Sequence, residues 1–310
     1  MRLILGLTRR LLMPICRIYS RRVVGDKPAD RVMCLLCSVD FLERHGYWPH
    51  FSQPRSQDEK VSARMLFDRN PLWIQFCDKW RVREYVAERV GSNYLVPVLW
   101  RGDNPDEIPF DDLPSRFVIK ATHGCAYNII VQDKAQLDRA KTRRQLRQWL
   151  GENYCYKSHV GTEWAYSKVR PAIIIEEFLG EKGTLPVDYK FYCFNGRIGY
   201  VLLRFYRSGE HTKGYVDRDF TPFRMERGMK EYKGQFVRPD NYDEMIRVAE
   251  TLAQGLDFIR VDLYSVNGRI YFGELTPYPA AGRLRFIPGA YDFVWGQKWR
   301  LAPFIGGPRK

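Results

Sequence analysis

The chain of 310 residues has no run of 18 apolar residues, so the sequence offers no helix that would span a membrane. Cysteine is sparse and irregular. Seven residues, an odd count without a spacing rhythm, read as reduced thiols of a cytosolic protein. Only Cys34 and Cys37 stand close together, with His45 and His50 downstream. Seven residues separate Cys37 from His45, where a zinc finger needs about 12. The pair is read as two small apolar residues on a helix. Nucleotide motifs are missing too. There is no G-x-x-x-x-G-K-[ST], no G-x-G-x-x-G after a strand, no H-R-D and no G-x-S-x-G. Any use of ATP therefore needs another scaffold. The 45% hydrophobic and 28% charged content excludes a disordered tail, a collagen and a small disulfide scaffold.

What is present in excess is positive charge. Lys plus Arg number 50 against 36 Asp plus Glu, a net +14. Such an excess calls for an anionic partner: nucleic acid, a phospholipid surface or a phosphorylated small molecule. Six of the arginines fall within residues 1–24, where there is no acid. At helical spacing, Leu3, Ile4, Leu7, Leu11, Ile15 and Ile18 share one side. Arg2, Arg9, Arg10, Arg17 and Arg21 gather on the other. This reads as a basic amphipathic helix, kinked at Pro14, of the kind that lies in an anionic membrane interface. A helix docked on its own protein and an Arg-rich transit peptide are the alternatives. Arg9 and Arg10 interrupt the apolar stretch, which disfavours a cleaved secretory signal.

Residues 30–46 and 58–90 read as helices, the second broken at Pro71. A loop rich in Asp, Pro and Gly follows at 101–115. Phe117–Lys120 and Asn128–Val131 read as short strands, 134–150 as a basic helix and 172–176 as a strand. Residues 187–206 and 211–217 read as strands, with a hairpin at Asn195-Gly196. Residues 241–254 form a helix, with Asp240 or Asn241 as its cap and Gly255 past its end. The expected fold class is α+β, with antiparallel sheets after a helical N-terminal region.

The last hairpin, 257–264 and 269–275, carries the chemistry. Arg260, Asp262 and Tyr264 alternate onto one face of their strand. Ionised groups facing inward from a strand need a reason. The partner strand bears Glu274. A two-residue Asn267-Gly268 loop pairs 266 with 269 and puts Asp262 and Glu274 on opposite faces. A three-residue loop, Val266-Asn267-Gly268, pairs 265 with 269. Glu274 then lies opposite Arg260 and diagonal to Asp262. We adopt the second register, because it gathers two carboxylates and an arginine into one cluster suited to Mg²⁺ and phosphate oxygens. An Arg–Asp–Glu salt-bridge network is the structural alternative.

With these residues in view, the sequence resembles the TupA-like, teichuronopeptide-type ATP-grasp amidoligases of bacterial surface-polysaccharide biosynthesis. The resemblance runs from about residue 54 to 300. Its segments are Asp68-Arg-Asn-Pro-Leu72, Asp78-Lys79, Val82-Arg-Glu-Tyr-Val86, Phe117-Val-Ile-Lys120, His123-Gly124 and Asn128-Ile-Ile-Val131. It continues with Glu176-Glu-Phe-Leu179, Asp188-Tyr-Lys-Phe-Tyr-Cys-Phe-Asn-Gly196, Arg260-Val-Asp-Leu-Tyr264 and Phe272-Gly-Glu-Leu-Thr276.

The resemblance implies an ATP-grasp fold, in which two α+β lobes clasp ATP. The divisions would be a basic helix at 1–24, a mostly helical region at 25–115, a first lobe at 116–180 and a second at 181–310. It also implies roles. Lys120 would reach the α- and β-phosphates. His123 and Gly124 belong to the phosphate loop. Glu176, Glu177 and the backbone around Leu179 would read adenine. Asp188 would accept the ribose hydroxyls, and Lys190 would contact a phosphate. Arg260 would face the γ-phosphate. Asp262 and Glu274 would hold Mg²⁺, with Thr276 where the wider superfamily has Asn. The phosphate loop is thin, because Cys125-Ala126-Tyr127 replaces a glycine-rich run and Tyr127 is bulky. Arg283 and Arg285 follow Pro279-Ala-Ala-Gly282 and are candidates for an acidic acceptor.

The expected activity is carboxylate–amine ligation with ATP and Mg²⁺, on an acidic sugar, glycan or amino acid. A kinase acting on a sugar hydroxyl and a non-catalytic basic binding protein are the rivals. The charge then divides in two. Part belongs to residues 1–24 and an anionic membrane, on the inner face of the cell membrane. The rest faces ATP or an acidic substrate. Neither part requires nucleic acid.

Overall fold

A computed structural model describes residues 29–157, 162–180, 184–207, 210–225 and 230–305. The basic helix expected over residues 1–24 lies outside the described residues. Four helices come first: α1 (Arg31–His45), α2 (Gln57–Phe67), α3 (Leu72–Cys77) and α4 (Val82–Val90). Each break has a local cause. Asp30 caps α1 by accepting from the Met33 amide, and Gly46 ends it in the left-handed region at φ 82°. Ser56 and Glu59 form a reciprocal capping box at the start of α2. The helical stretch expected over 58–90 with one break at Pro71 is therefore three helices, with a second break at Asp78. Asp68 and Asp78, both extended, terminate α2 and α3.

Two sheets follow. The first has the strand order β1-β4-β2-β3, from β1 (Val98–Gly102), β2 (Phe117–Ala121), β3 (Asn128–Val131) and β4 (Ile173–Glu177). Strand β1 lies inside the stretch expected to be mostly helical; it pairs antiparallel with β4. Helix α5 (Arg139–Leu150), capped by Asp138, buries Leu146 against this sheet.

The second sheet has the order β10-β9-β5-β6-β7-β8. Its strands are β5 (Asp188–Phe194), β6 (Arg197–Arg207), β7 (Glu210–Val216), β8 (Lys230–Glu231), β9 (Phe258–Val266) and β10 (Arg269–Thr276). Asn195 and Gly196 form the expected two-residue turn, with φ of 49° and 79°. One face of the sheet packs on α6 (Tyr242–Ala253), whose Tyr242 ring lies 6.0 Å from Phe191. On the other face α7 (Ala290–Lys298) covers one end, with Trp295 4.7 Å from Tyr200. The remainder of that second face carries the charged residues.

The final hairpin departs from the register adopted above. Arg269 pairs with Val266, so Asn267 and Gly268 form a two-residue turn at φ 51° and 75°. The charged residues still converge, because a β-bulge falls between Phe272 and Glu274. The extra residue, Gly273, returns Glu274 to the face of Asp262. Glu274 pairs with Asp262 and Thr276 with Arg260. Glycine suits this point. A Cβ on Gly273 would lie 2.9 Å from the Tyr264 ring and 3.1 Å from the Asp262 carbonyl oxygen.

Candidate active site

Strand pairing gathers six residues on one face of the second sheet. Asp188 and Lys190 come from β5, Arg260 and Asp262 from β9, Glu274 and Thr276 from β10. Lys190 is the Cα partner of Asp262. Its amine bridges Asp188, at 2.6 Å, and Asp262. Arg260 forks onto Asp262 with both contacts at 2.7 Å, and its second arm stands 3.7 Å from Glu274. Thr276 donates its hydroxyl to Glu274 at 2.6 Å.

The electrostatics follow from burial. Desolvation alone would raise the Asp262 carboxyl, but Arg260 and Lys190 hold it below the usual carboxylate range. Burial dominates at Asp188, which is raised despite Lys190. Burial works against the charge on Lys190 as well, yet Asp188 and Asp262 raise it. Tyr264, on the same face, is raised first by the charge of Asp188 and then by burial.

These residues fit the ligands that the sequence suggested. The oxygen donors of Asp262, Glu274 and Thr276 suit a hard divalent cation. The Glu274 side chain is 40% exposed and open to the cleft. Asp188 is 5% exposed, and its Oδ1 has no hydrogen-bond partner among the described residues. A hydroxyl donor would satisfy that buried oxygen.

The first sheet contributes a second group. Lys120 reaches Glu176 at 2.5 Å, and Arg83 of α4 takes the other carboxylate oxygen at 3.0 Å. Glu176 is buried, whereas Glu177 is exposed and Leu179 half-buried. In the loop between β2 and β3, the Tyr127 ring is turned inward. It stacks on Trp149 at 5.0 Å and donates its hydroxyl to Glu152 at 2.6 Å. Gly124 permits this, since a Cβ there would meet the Tyr127 ring at 2.6 Å. The bulk of Tyr127 is therefore accommodated beneath the loop. The loop tip faces the second sheet, with the Cys125 thiol in electrostatic range of Glu274, Lys79 and Arg260.

Some expected residues are placed elsewhere. His123 is buried, and its Nε2 contacts the Trp149 carbonyl at 2.8 Å. Burial lowers its pKa, so a neutral ring in the wall of the lobe is what the surroundings favour. Arg283 is also buried and pairs with Asp40 of α1 at 2.5 Å. Arg283, expected at the acceptor, thus meets α1 through its Nη1. Arg285 is exposed. Cys34 and Cys37 both lie on α1, as the apolar-helix reading requires.

Sequence reading gave no role to Lys79, which the structure brings to the cleft. Its amine donates to the carbonyls of Ala121, at 3.0 Å, and Gly124, and its own amide donates to the Thr122 carbonyl at 3.1 Å. One residue thus gathers three carbonyls at the end of β2 and the loop after it. Desolvation lowers its pKa, while Glu274 opposes that shift. The signal was present in Asp78-Lys79, where Asp78 Oδ1 accepts from the Trp80 amide and turns the chain into α4. Arg83 was equally legible in the 82–86 segment but had no partner assigned.

Two largely antiparallel sheets, one bearing a lysine–glutamate pair and the other an acid–base cluster, with the loop after β2 in electrostatic range of Glu274, define an ATP-grasp enzyme. The chain belongs to the TupA-like ATP-grasp family: the family described as TupA-like ATPgrasp matches residues 59–300, more than three quarters of the chain. No curated protein matches the sequence. Among solved structures, D-alanine–D-alanine ligase from Helicobacter pylori is similar at 10% identity and a TM-score of 0.43, over 80% of this chain and 68% of that one. The same ligase from Bacillus anthracis, complexed with ATP, gives 12% identity and 0.37, over 66% and 54%. The ATP-grasp ligase PsnB, complexed with its minimal precursor, gives 12% and 0.37, over 74% and 59%. The chain thus spans little more than half the length of the last two proteins.

Proposed function

We propose that the protein is an ATP- and Mg²⁺-dependent carboxylate–amine ligase. The observation that carries this reading is the cluster on the second sheet. Two oxygen ligands face each other across a bulged hairpin, flanked by two cations that are themselves held by carboxylates. In the reaction, a substrate carboxylate oxygen attacks the γ-phosphorus of ATP, releasing ADP and forming an acyl phosphate. An amine then attacks the acyl carbon and loses a proton, and inorganic phosphate leaves.

Asp262, Glu274 and Thr276 would hold Mg²⁺, which when bound draws charge from phosphate oxygens. Arg260 and Lys190 would neutralise negative charge at the transferring phosphoryl group. Lys120 would do so from the opposite lobe. Asp188 would accept from the ribose, and the Glu176–Leu179 segment would bind adenine. Lys79 would order the phosphate loop. The acid substrate would be a sugar acid, glycan or amino acid of a surface polysaccharide. Residues 1–24 would hold the enzyme on an anionic membrane surface.

The test supplies the full chain with Mg-ATP and panels of sugar acids and amino acids, and weighs the products. An amide-linked conjugate with ADP and free phosphate is the expected result. A phosphosugar with no free phosphate would instead identify a kinase on the same scaffold.

A further inference from the structure

Beside the acid–base cluster, two buried polar atoms of opposite kind have no hydrogen-bond partner among the described residues. One is the acceptor Asp188 Oδ1; the other is the donor Arg204 Nε, on β6. The two residues are Cα partners across β5 and β6. Directly paired residues share a sheet face, with Cβ atoms ~5 Å apart. Arg204 is thus on the face that carries Lys190, Arg260 and Asp262. Asp188 meets Lys190 through its other oxygen, at 2.6 Å. On its far side Arg204 pairs with Lys213 of β7, so that row offers it no second acid. The guanidinium carbon lies 5.5 Å from the centre of the Tyr206 ring, two residues along β6. A cation–π contact of this kind holds the side chain without using its N–H groups.

A buried donor and a buried acceptor left unsatisfied are both costly, and a bound group that satisfies them recovers that cost. An anion between them would suit Arg204 but would be repelled by Asp188. A hydroxyl suits both, because its oxygen accepts while its hydrogen is donated. A vicinal diol answers the pair with two such groups. Position then selects the diol and its orientation. Asp262 and Glu274 lie on β9 and β10, to one side of β5, and Arg204 lies to the other side. A nucleotide whose phosphates extend toward Asp262 and Glu274 leaves its ribose through the 5′ carbon in that direction. The diol edge of the ribose then faces β6. Of the two hydroxyls, the 2′ group is farther from the 5′ carbon and so nearer to Arg204.

We propose that Arg204 is a specificity residue for the nucleotide sugar: it donates to the 2′ oxygen of ribose while Asp188 accepts from the diol. The inference rests on the ligase reading for the direction of the phosphates. It is tested on the full chain by calorimetry with Mg²⁺ and ATP, 2′-deoxy-ATP or 3′-deoxy-ATP. The unmodified protein is compared with Arg204→Met, which keeps an unbranched apolar stem. The unmodified protein should bind 2′-deoxy-ATP at least ~10-fold more weakly than ATP, the loss of one hydrogen bond to a charged donor. Arg204→Met should weaken ATP and 3′-deoxy-ATP by a similar factor and leave 2′-deoxy-ATP unchanged. Equal weakening of all three nucleotides is what a merely structural arginine would give, and it overturns the proposal. Unchanged nucleotide binding by Arg204→Met overturns it as well. So does equal binding of ATP and 2′-deoxy-ATP by the unmodified protein, a comparison that needs no variant. Absence of any Mg-ATP binding to the unmodified protein instead overturns the ligase reading itself.

Discussion

Gly273 offers the sharpest perturbation of the site. An alanine there would put a Cβ 2.9 Å from the Tyr264 ring and 3.1 Å from the Asp262 carbonyl oxygen. Ordinary carbon contacts begin near 3.5 Å, so several tenths of an ångström must be found. Strand β9 cannot easily yield, because it is paired on both sides, with β5 and β10. The bulge itself must move, and Glu274 with it. Overpacking of this kind costs about 1–3 kcal/mol in stability. A misplacement approaching 1 Å at a reacting centre costs up to ~100-fold.

The assay is the stabilisation conferred by Mg-ATP. At a ligand concentration 100 times Kd, the unmodified protein should gain about 2.7 kcal/mol. Tenfold weaker binding reduces that gain to about 1.4 kcal/mol, and hundredfold weaker to about 0.4 kcal/mol. Gly268→Ala is the control. Gly268 lies at the hairpin tip at φ +75°, with nothing near its Cβ position. It should lower stability without changing the gain from Mg-ATP. If Gly273→Ala loses stability yet keeps the full Mg-ATP gain, the bulged hairpin is not the metal-binding element. Equal losses in both variants would refute the geometric argument.

Two further outcomes follow from the same face of the molecule. Lys79→Met should leave the Ala121 and Gly124 carbonyls without their shared donor, at about 1–3 kcal/mol. ATP affinity should fall with it; unchanged affinity by calorimetry would remove Lys79 from the site. Asp262→Asn tests the linkage between charge and pH. The folded pKa of Asp262 is depressed, so its contribution is fully present above the ordinary carboxylate value of about 3.9 and fades as pH falls through the folded value. The stability difference from Asp262→Asn in urea should therefore be larger at pH 7 than below pH 4. A pH-independent difference would contradict the charge-paired reading.

Much of the fold was legible because its signals are local. The caps at Asp30 and Ser56, the turn at Asn195-Gly196 and the alternation through Phe258–Tyr264 each act over a few residues. Strand β1 is not legible locally, because Val98–Gly102 is a short run whose pairing partner, β4, lies some 70 residues on. The hairpin register shows the same limit in finer detail. Asn267-Gly268 forms a two-residue turn, a register in which the charged residues would diverge without the bulge. The missing piece was Gly273, since a bulge and a longer loop shift the register equally. His123 and Arg283 had suggestive residue types. Their partners, Trp149 and Asp40, come from other elements, and no spacing rule connects them.

Composition and local pattern by themselves determined the α+β class, the order of most elements and the set of side chains with chemistry to offer. Family resemblance assigned those side chains to ATP and Mg²⁺. Only the tertiary structure decided which of them meet. Lys190 touches Asp262 across 72 residues of chain, and Lys79 grips a loop more than 40 residues away. Such contacts depend on strand register and packing, where a one-residue slip moves a side chain to the other face. Short-range preference sets the elements; burial of ionised groups then selects the pairing that leaves each charge with a partner.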